Sequence, residues 1–229
     1  MTTESKVPAT AEKERGLITY QVAGQDVKLS YQIVRNFLTK GNGEVTDQDL
    51  TGFISICKYN QLNPFLNEAY LIKFGSAPAT MVVSKEAFFK RAEANQEYKG
   101  IQSGVIVMRK NEPVELEGCF YLADDVLVGG WAKVFRSDRD YPIVSRVRLD
   151  EYNKGQSNWK EKPSTMISKV AKVQALREAF PTQLGAMYTA EEQGVIDITH
   201  EDVTSRTNTD EIIKQDEPES EKKSNKIEI

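Results

Sequence analysis

The stretch Lys160 to Pro181, KEKPSTMISKVAKVQALREAFP, constrains the fold more than any other part of the chain. Pro163 has no backbone N–H to donate and Ser164 is a favourable N-cap, so a helix is predicted to begin here and to stop at Pro181. At 100° per residue the apolar side chains form one stripe, which must face a core. The stripe consists of Met166, Val170, Val173 and Phe180.

The polar side of this helix is predicted to carry a row of donors. Lys169 and Lys172, three residues apart, share an edge beside the stripe, with Ser168 close by. Such a row suits phosphate oxygens, although a solvated lysine face on a core helix gives the same pattern. Arg177 projects into the apolar arc, so its guanidinium must emerge at the helix end or meet a carboxylate or a phosphate.

The chain length allows one good-sized core with tails, or at most two small domains. No run of about 18 apolar residues occurs, so no transmembrane helix is expected. The polar N-terminus lacks an apolar signal region, which predicts a cytoplasmic protein. Cys57 and Cys119 lie within apolar stretches and are expected to be reduced core residues.

Several kinds of chemistry find no support in the sequence. The single histidine, His200, lies in a polar tail, which argues against histidine-centred triads and histidine-rich metal sites. No GxxxxGK[ST] loop occurs, so an ATP-driven mechanism of the P-loop kind is not indicated. The Gly129-Gly130 pair is expected to mark a bulge or turn. We therefore expect no catalytic residue, metal or cofactor, and a function performed by binding.

Charge is distributed unevenly along the chain. The net charge of −4 by itself argues against a nucleic-acid binder. However, residues 131–177 contain 11 basic and 5 acidic side chains, giving +6, whereas residues 178–229 contain 5 basic and 13 acidic ones, giving −8. The local field matters more than the net charge for binding a polyanion. The segment 131–177 is therefore the candidate binding region.

In the residues before this region, the predicted secondary structure alternates between helices and short strands. A hairpin is predicted around Gly24, followed by a helix over 31–40 capped by Ser30 and a second helix with a Thr46/Asp49 capping box. Residues 68–74 and 80–83 are predicted to pair as strands, and residues 85–95 to form a helix. From 99 to 149 the sequence becomes β-rich, with strands expected over 104–109, 114–122, 126–136 and 141–149.

Side-chain alternation assigns faces to the last two strands. Trp131, Lys133 and Phe135 are predicted to share one face, and Arg146 and Arg148 lie on one face of the following strand. Strand aromatics are more often core than stacking platforms, so Trp159, in a polar connector, is expected to be better placed than Trp131 to touch bases. A further short helix is predicted over 186–193. The domain layout is then a disordered N-terminus (1–15), a core domain (16–198) and a disordered acidic tail (199–229).

Cations interleaved with flat side chains are what single-strand binding needs. Together with the central helix, the sheet edge is predicted to form one basic groove. The tryptophans and tyrosines interleaved there are Trp131, Tyr141, Tyr152 and Trp159. The predicted DNA-binding residues are Lys73, Trp131, Lys133, Arg136, Arg146, Arg148, Lys154, Trp159, Lys160, Lys169, Lys172 and Arg177.

Four blocks of sequence resemble the phage single-strand annealing proteins of the RecT/Redβ group, in particular the Bet type. They are Asn63-Pro64-Phe65 followed by EAYLIKFG (68–75), SKEAFFKRA (84–92), SRVRLDEYN (145–153), and Trp159 through KPSTMISKVAKVQALREAFP. The last block is the most specific, and the resemblance spans about residues 45–193. One departure is the segment 200–229, which is shorter and more polar than the folded C-terminal domain of the lambda-type protein.

The resemblance implies an α+β fold, an antiparallel sheet packed with helices as in the Rad52-like annealing core. It also implies ATP-independent binding of single-stranded DNA and pairing of complementary strands in phage homologous recombination, through an annealed duplex intermediate on a ring or helical filament of one subunit type. A phage 5'-3' exonuclease and the host single-strand-binding protein are the implied partners. Trp131, Arg148, Trp159, Lys169, Lys172 and Arg177 correspond to the DNA-groove region of the family.

Two other functions remain open from the residues alone. Glu97-Tyr98-Lys99 resembles the E-x-K of restriction-type metal nucleases, with Glu93 or Glu86 as further ligands, although such a tripeptide arises often by chance. The basic segment could instead serve subunit contacts in a structural oligomer that does not bind DNA. Magnesium-dependent loss of a DNA substrate would indicate the first, and failure to bind oligonucleotides at low salt the second.

Overall fold

The longest helix lies across a four-stranded antiparallel sheet, and this pair positions the candidate site. The computed structural model describes residues 16–155 and 158–194, all within one compact unit. The strands are β1 (Ile18–Val22), β2 (Gln25–Leu29), β3 (Thr39–Lys40), β4 (Ala69–Ile72), β5 (Thr80–Val83), β6 (Tyr98–Arg109), β7 (Glu112–Glu117), β8 (Val126–Arg136) and β9 (Ile143–Arg148). The helices are α1 (Tyr31–Ile33, continued as a π-helix over Val34–Leu38), α2 (Asp47–Tyr59), α3 (Lys85–Glu93), α4 (Leu149–Tyr152), α5 (Asn158–Glu161), α6 (Pro163–Ala179) and α7 (Pro181–Leu184).

Local signals place the N-terminal elements where the sequence predicts them. The β1–β2 hairpin turns at Gly24, which has a positive φ of 80°. The Ile33 N–H donates to Ser30 Oγ at 3.3 Å and so caps α1. At the start of α2 the Asp49 N–H donates to Thr46 Oγ1 at 3.2 Å, and the Thr46 N–H donates to Asp49 Oδ2 at 2.9 Å. These bonds satisfy donors that a helix start leaves free, and the predicted capping box is confirmed.

The helix predicted over 31–40 ends earlier than expected. Thr39 and Lys40 form the short strand β3, which pairs in parallel with Leu71 and Ile72 of β4. The Thr39 hydroxyl donates to the Val34 carbonyl at 2.9 Å and thereby satisfies a helix-end acceptor. Pairing with β4 outweighs one more helical turn here, and β5 then completes a three-stranded mixed sheet.

The larger sheet has the order β7-β6-β8-β9, with every neighbouring pair antiparallel. Helix α6 packs on β8 so closely that a Cβ on Gly130 would lie 2.7 Å from the Ile167 carbonyl oxygen. At the neighbouring strand the Ser145 hydroxyl donates to the Gln174 side chain of α6 at 3.1 Å. In the β6–β8 pairing Ile106 lies opposite Gly129 and Val107 opposite Leu127, so Val128 is an extra residue in β8. This bulge next to Gly129 confirms the irregularity expected at the glycine pair.

The central helix departs from its prediction in two ways. It begins with Pro163 at its first position, where a missing N–H costs nothing, and Ser164 is not the cap. Its buried surface is also wider than one stripe, because a second set of side chains packs against the sheet and neighbouring helices. The buried residues outside the predicted stripe are Ile167, Ser168, Ala171, Ala175, Leu176 and Ala179. The expected open row of donors is therefore largely covered.

The segment after α7 is not the helix predicted over 186–193. Residues 186–194 form turns that return along β5, where the Val83 N–H donates to the Tyr188 carbonyl at 2.9 Å. Pairing with the free side of β5 satisfies backbone groups that a helix would bond internally. The tails predicted to be disordered, 1–15 and 199–229, lie outside the described residues.

The cysteine prediction is confirmed for one residue and wrong for the other. Cys57 is a buried free thiol within α2. Cys119 is a free thiol that is only half-buried, because β7 ends at Glu117 and residue 119 already belongs to the following loop. Across the described ranges, no helix combines the length and the apolarity needed to cross a membrane.

Replacing Val173 with alanine tests the core position of α6. Val173 is fully buried, so Val173→Ala is expected to lower the free energy of unfolding by about 1–3 kcal/mol through lost apolar contact and a residual cavity. Urea denaturation followed by circular dichroism measures this loss. The exposed Thr165→Ala, in the same helix, is the control and should change stability by less than about 0.5 kcal/mol.

Candidate nucleic-acid interface

The face of the large sheet turned away from α6, called here the outer face, carries a group of the predicted binding residues. Gly130 and Ser145 point to α6, so the alternating neighbours on β8 and β9 point the other way. The register pairs Trp131 with Arg146 and places Lys133 and Arg148 beside them. Strand alternation thus places Trp131 with Lys133 and Arg146 with Arg148, as predicted, and the β8–β9 register brings the two pairs onto one surface.

Trp131 lies flat against the outer face rather than projecting from it. Its Nε1 donates to the Leu116 carbonyl at 3.1 Å. Gly104 leaves the space for the indole, since a Cβ there would lie 2.8 Å from that nitrogen. Lys133 Nζ covers the ring at 4.8 Å from its centroid, and Trp131 is only 6% exposed. A base can therefore reach this ring only where Lys133 moves aside.

Glu115 of β7 holds the outer-face cations in place. Its Oε1 lies 2.6 Å from Arg146 Nε, and its Oε2 lies 3.7 Å from Lys133 Nζ. The neighbouring Arg148 pairs with Asp150 but keeps its side chain 72% exposed. Exposed ion pairs contribute little to stability, so a phosphate can replace such a carboxylate at small cost. The outer face is thus a row of three cations whose present partners are exchangeable.

Glu115→Gln is expected to strengthen oligonucleotide binding by about three- to tenfold. The neutral amide removes one competing charge from Arg146 and Lys133, and such exposed pairs are worth about 0.2–1 kcal/mol each. Fluorescence anisotropy with a labelled oligothymidine measures the change. Glu112→Gln is the matched control, because Glu112 is exposed on the same strand with the opposite side-chain direction. Equal tightening by both variants would show that only net charge matters.

The cations of α6 lie on the other side of the sheet and have partners of their own. Lys169 Nζ lies 2.6 Å from Glu191 Oε1. Arg177 donates to both oxygens of Glu192, at 3.0 and 2.5 Å, and to the Met187 carbonyl at 3.2 Å. Burial is the largest single influence and lowers the pKa of Arg177, but the hydrogen bonds and the charge of Glu192, with Tyr188 and Glu178, together raise that pKa above its ordinary value. Arg177 was expected to emerge at the helix end or to meet a carboxylate or a phosphate. In the structure it meets a carboxylate, that of Glu192.

Lys172 differs from its neighbours on the helix. It is half-buried rather than exposed, and no carboxylate of the described residues forms an ion pair with it. Burial lowers the pKa of Lys172; the nearby Cys119 opposes that shift, and the positive charge of Lys85 adds to it. The prediction that Lys172 stands on an open helix edge is wrong, because α3 and the loop after β7 flank this part of α6.

The other predicted binding residues are scattered. Lys73 is largely covered and lies 3.5 Å from Asp49. Arg136 donates to both oxygens of Asp138 and to the Ala179 carbonyl, so it fastens β8 to the end of α6. Trp159 is buried in the core, and the prediction that the polar connector exposes it is wrong. Lys154 and Lys160 are exposed on that connector.

The single groove expected from sheet edge and helix is therefore divided by the sheet itself. Lys133, Arg146 and Arg148 line the outer face, whereas Lys169, Lys172 and Arg177 lie on the helix side. The basic charge of segment 131–177 alone could not distinguish these sides. Gly130 of β8 shows which face of the sheet the helix covers, because α6 packs directly against it. That role can be recognised only once the helix is known to cross β8.

The carboxylates that face the cations escaped sequence reasoning. Glu115 and Glu117 alternate on β7, which signals one shared face but not its partner strand. Glu191 and Glu192 lie in the segment wrongly expected to be helical, so their pairing with α6 had no sequence signal.

Glu97, the first residue of the nuclease-like tripeptide, is hydrogen-bonded to Ser137 at the end of β8. Glu97 accepts a hydrogen bond from the Ser137 hydroxyl, and the Ser137 N–H donates to the Glu97 carbonyl at 2.8 Å. These bonds join the start of β6 to the end of β8. Within the ranges 16–155 and 158–194, no three His, Cys, Asp or Glu side chains converge in a way that could hold a metal ion.

Comparison with known proteins agrees with the resemblance found in the sequence. No curated protein matches the chain. The model of the RecT family matches residues 24–210, which is most of the chain and includes the large sheet, α6 and every predicted binding residue. This mixed α+β chain therefore belongs to the RecT family, whose members are annealing proteins of phage-type recombination.

Proposed function

We propose that this protein binds single-stranded DNA without ATP and anneals complementary strands during phage homologous recombination. The observation that carries the proposal is the outer face, where Lys133, Arg146 and Arg148 stand in a row on adjacent strands. Phosphate contacts supply most of the affinity of sequence-independent binders. A row of cations on rigid strands is suited to follow a phosphate backbone, and membership of the RecT family supports this role.

The annealing mechanism follows from what such a face contacts. The cations hold one strand by its phosphates, and the base edges stay free to test an incoming strand. Base pairing then supplies specificity, so the protein has no need to read sequence. Phosphate neutralisation also lowers the repulsion between the two strands. No covalent step is required, in keeping with a binding protein rather than an enzyme.

The assembly and partners that we propose are those of the family resemblance. Copies of this chain form a ring or helical filament that aligns many outer faces along one strand, which multiplies weak contacts. The core has the Rad52-like arrangement of sheet and helices. A phage 5'-3' exonuclease supplies the resected strand, and a host single-strand-binding protein covers it in the bacterial cytoplasm.

The test combines binding and annealing. Oligothymidine affinity is expected to fall steeply as salt rises, because phosphate contacts release counterions. Two complementary oligonucleotides added in turn should pair faster than protein-free strands, without ATP, and electron microscopy of that mixture should show rings or filaments. Affinity that hardly changes between low and moderate salt would contradict phosphate-dominated binding. Loss of the oligonucleotide itself when Mg²⁺ is added would instead indicate a nuclease.

The acidic tail gives a prediction of its own. Deleting residues 200–229 is expected to leave folding and annealing of naked strands intact, because a segment of this composition contributes little to a core. Removal of its negative charge should also tighten DNA binding modestly. Thermal unfolding and the annealing assay check both outcomes. An unfolded truncated protein would show that the core domain extends beyond residue 199.

A further inference from the structure

Trp131 is a buried tryptophan that lies outside the hydrophobic core. In the part of the chain that the structure describes, the core cluster includes Trp159 but not Trp131. The core lies on the α6 side of the large sheet, where Ala132 and Val134 point, whereas Trp131 lies on the outer face. Aromatic side chains dominate the energetics of cores and of interfaces, so a ring outside the core indicates a binding surface.

The indole of Trp131 extends across β6 to reach β7. Its Nε1 donates to the Leu116 carbonyl of β7 at 3.1 Å, although Trp131 belongs to β8 and β6 lies between these strands. Gly104 stands directly opposite Trp131 on β6, and a Cβ there would collide with that carbonyl and lie 2.8 Å from the indole nitrogen. The glycine thus permits the flat orientation of the ring. One ring face is turned to the sheet, and the other is turned outward.

Lys133 covers the outward face of the ring. Its Nζ lies 4.8 Å from the ring centroid and 3.7 Å from Glu115 Oε2. The two side chains are 30% and 33% exposed, so water reaches both contacts. A cation–π contact and an ion pair are each weak at such exposure. Lys133 is therefore a cover that a stronger partner can displace.

The side chains around the ring match the parts of one nucleotide. In the row of residues that crosses the sheet at Trp131, Arg146 stands on the β9 side and Glu117 on the β7 side. Arg146 and Lys133 suit a phosphate, and the flat ring suits a base. Glu117 repels phosphates from its own side. A strand on this face would therefore carry its backbone toward β9 and place a base over the ring.

We propose that Trp131 is a stacking subsite for one unpaired base of single-stranded DNA, and that Lys133 covers it until a phosphate draws the lysine aside. This inference rests on the proposed function and deepens it, because it adds a base contact to the phosphate contacts of the outer face. Stacking uses the flat face of a base, so the pairing edge stays open to an incoming strand. In a finished duplex the base faces cover one another, so the ring favours an unpaired strand.

The first experiment measures whether Lys133 covers the ring. Trp159→Phe leaves Trp131 as the sole tryptophan, so acrylamide quenching of its fluorescence reports how accessible the ring is. Adding Lys133→Ala is expected to raise the quenching constant of the DNA-free protein by about twofold or more, because a lysine stem shields apolar surface. Arg148→Ala is the matched control, since Arg148 lies on the same face one row away from Trp131, and should change quenching little. Equal quenching with and without Lys133 would contradict the proposed cover.

The second experiment separates base stacking from phosphate contact with two probes. One is an oligothymidine, and the other is an abasic oligonucleotide of equal length, which carries the same phosphates without bases. Oligothymidine is expected to quench Trp131 fluorescence and to protect the ring from acrylamide, because a base covers it. The abasic probe should draw Lys133 aside without replacing it, and so raise acrylamide quenching. Trp131→Phe, which leaves Trp159 in the core, is the control and should respond to neither probe.

Affinity gives another readout. Trp131→Leu is expected to weaken oligothymidine binding by about 3- to 30-fold, which is the stacking on one ring less the lysine contact that it replaces. Binding of the abasic probe should stay unchanged within about twofold, because its phosphates still meet the cations. Thermal unfolding checks that this variant is folded. If it is not, the fluorescence of the Trp159→Phe protein decides the question.

The outcomes distinguish this subsite from the proposed function. If the Trp159→Phe protein binds oligothymidine while the fluorescence and the acrylamide quenching of Trp131 stay as in the free protein, the subsite is refuted and the proposed function stands. If both probes change the quenching equally, Lys133 moves but no base stacks, and the subsite is likewise refuted. If neither probe binds at low salt, both proposals fall together.

Discussion

Replacing Lys133, Arg146 and Arg148 together with alanine is expected to lower oligonucleotide affinity about 100-fold at 0.1 M salt. Each phosphate contact on a single strand contributes about 0.7 to the slope of log affinity against log salt, so three contacts account for about two units. These side chains are at least partly exposed; Lys133 covers the Trp131 ring, but Trp131 keeps its own hydrogen bond to the Leu116 carbonyl when the lysine is truncated. The melting temperature should therefore stay nearly unchanged, which distinguishes a binding defect from misfolding.

Salt titrations of affinity measure this effect directly. A triple variant of Lys28, Arg35 and Lys58 is the matched control, because it removes the same charge from exposed positions elsewhere. It should leave both the affinity and the salt slope within about twofold of the unmodified protein. Equal loss in both triple variants would show that overall charge, and not the outer face, sets the affinity.

Gly130→Val is expected to lower the free energy of unfolding by about 3 kcal/mol or more, at the upper end of overpacking effects. A Cβ at this position would lie 2.7 Å from the Ile167 carbonyl oxygen and 3.2 Å from the Ser168 nitrogen. Backbone atoms of α6 cannot turn aside as a flexible side chain does. The helix must therefore shift off the sheet, and the contacts around it loosen.

Urea denaturation gives the size of this loss. Gly52→Ala, in the middle of α2, is the control, because nothing lies within 4 Å of its added Cβ. That substitution should stabilise the protein by about 0.5–1 kcal/mol, since alanine loses less conformational freedom in a helix. A Gly130→Val protein as stable as the unmodified one would show that α6 does not rest on β8 as described.

Much of the secondary structure was predictable because short-range chemistry determines it. The Thr46/Asp49 capping box, the turn at Gly24 and the strand at 80–83 all depend on neighbours a few residues away. Predictions were less accurate where distant partners compete with a local preference. Thr39 and Lys40 were predicted to be helical but pair with β4 instead. Residues 186–194 likewise lie along β5 and do not form the predicted helix.

The candidate site was predictable only in its local part. Strand alternation correctly grouped Trp131 with Lys133 and Arg146 with Arg148, because the period of a strand is two residues. It could not reveal that Glu115, across two strands, binds Arg146. Nor could it show that the sheet separates these cations from those of α6, since that depends on which face the helix covers.

The bridge from Glu115 to Arg146 and Lys133 has a consequence for how fast a bound strand can change its register. A cation that already has a carboxylate within reach never has to stand alone while one phosphate leaves and the next arrives. The free-energy barrier to each such step is therefore lower, both when one phosphate leaves and when the next one binds. On our proposal, a strand on this face can slide by single nucleotides until its bases match, instead of dissociating after every wrong alignment.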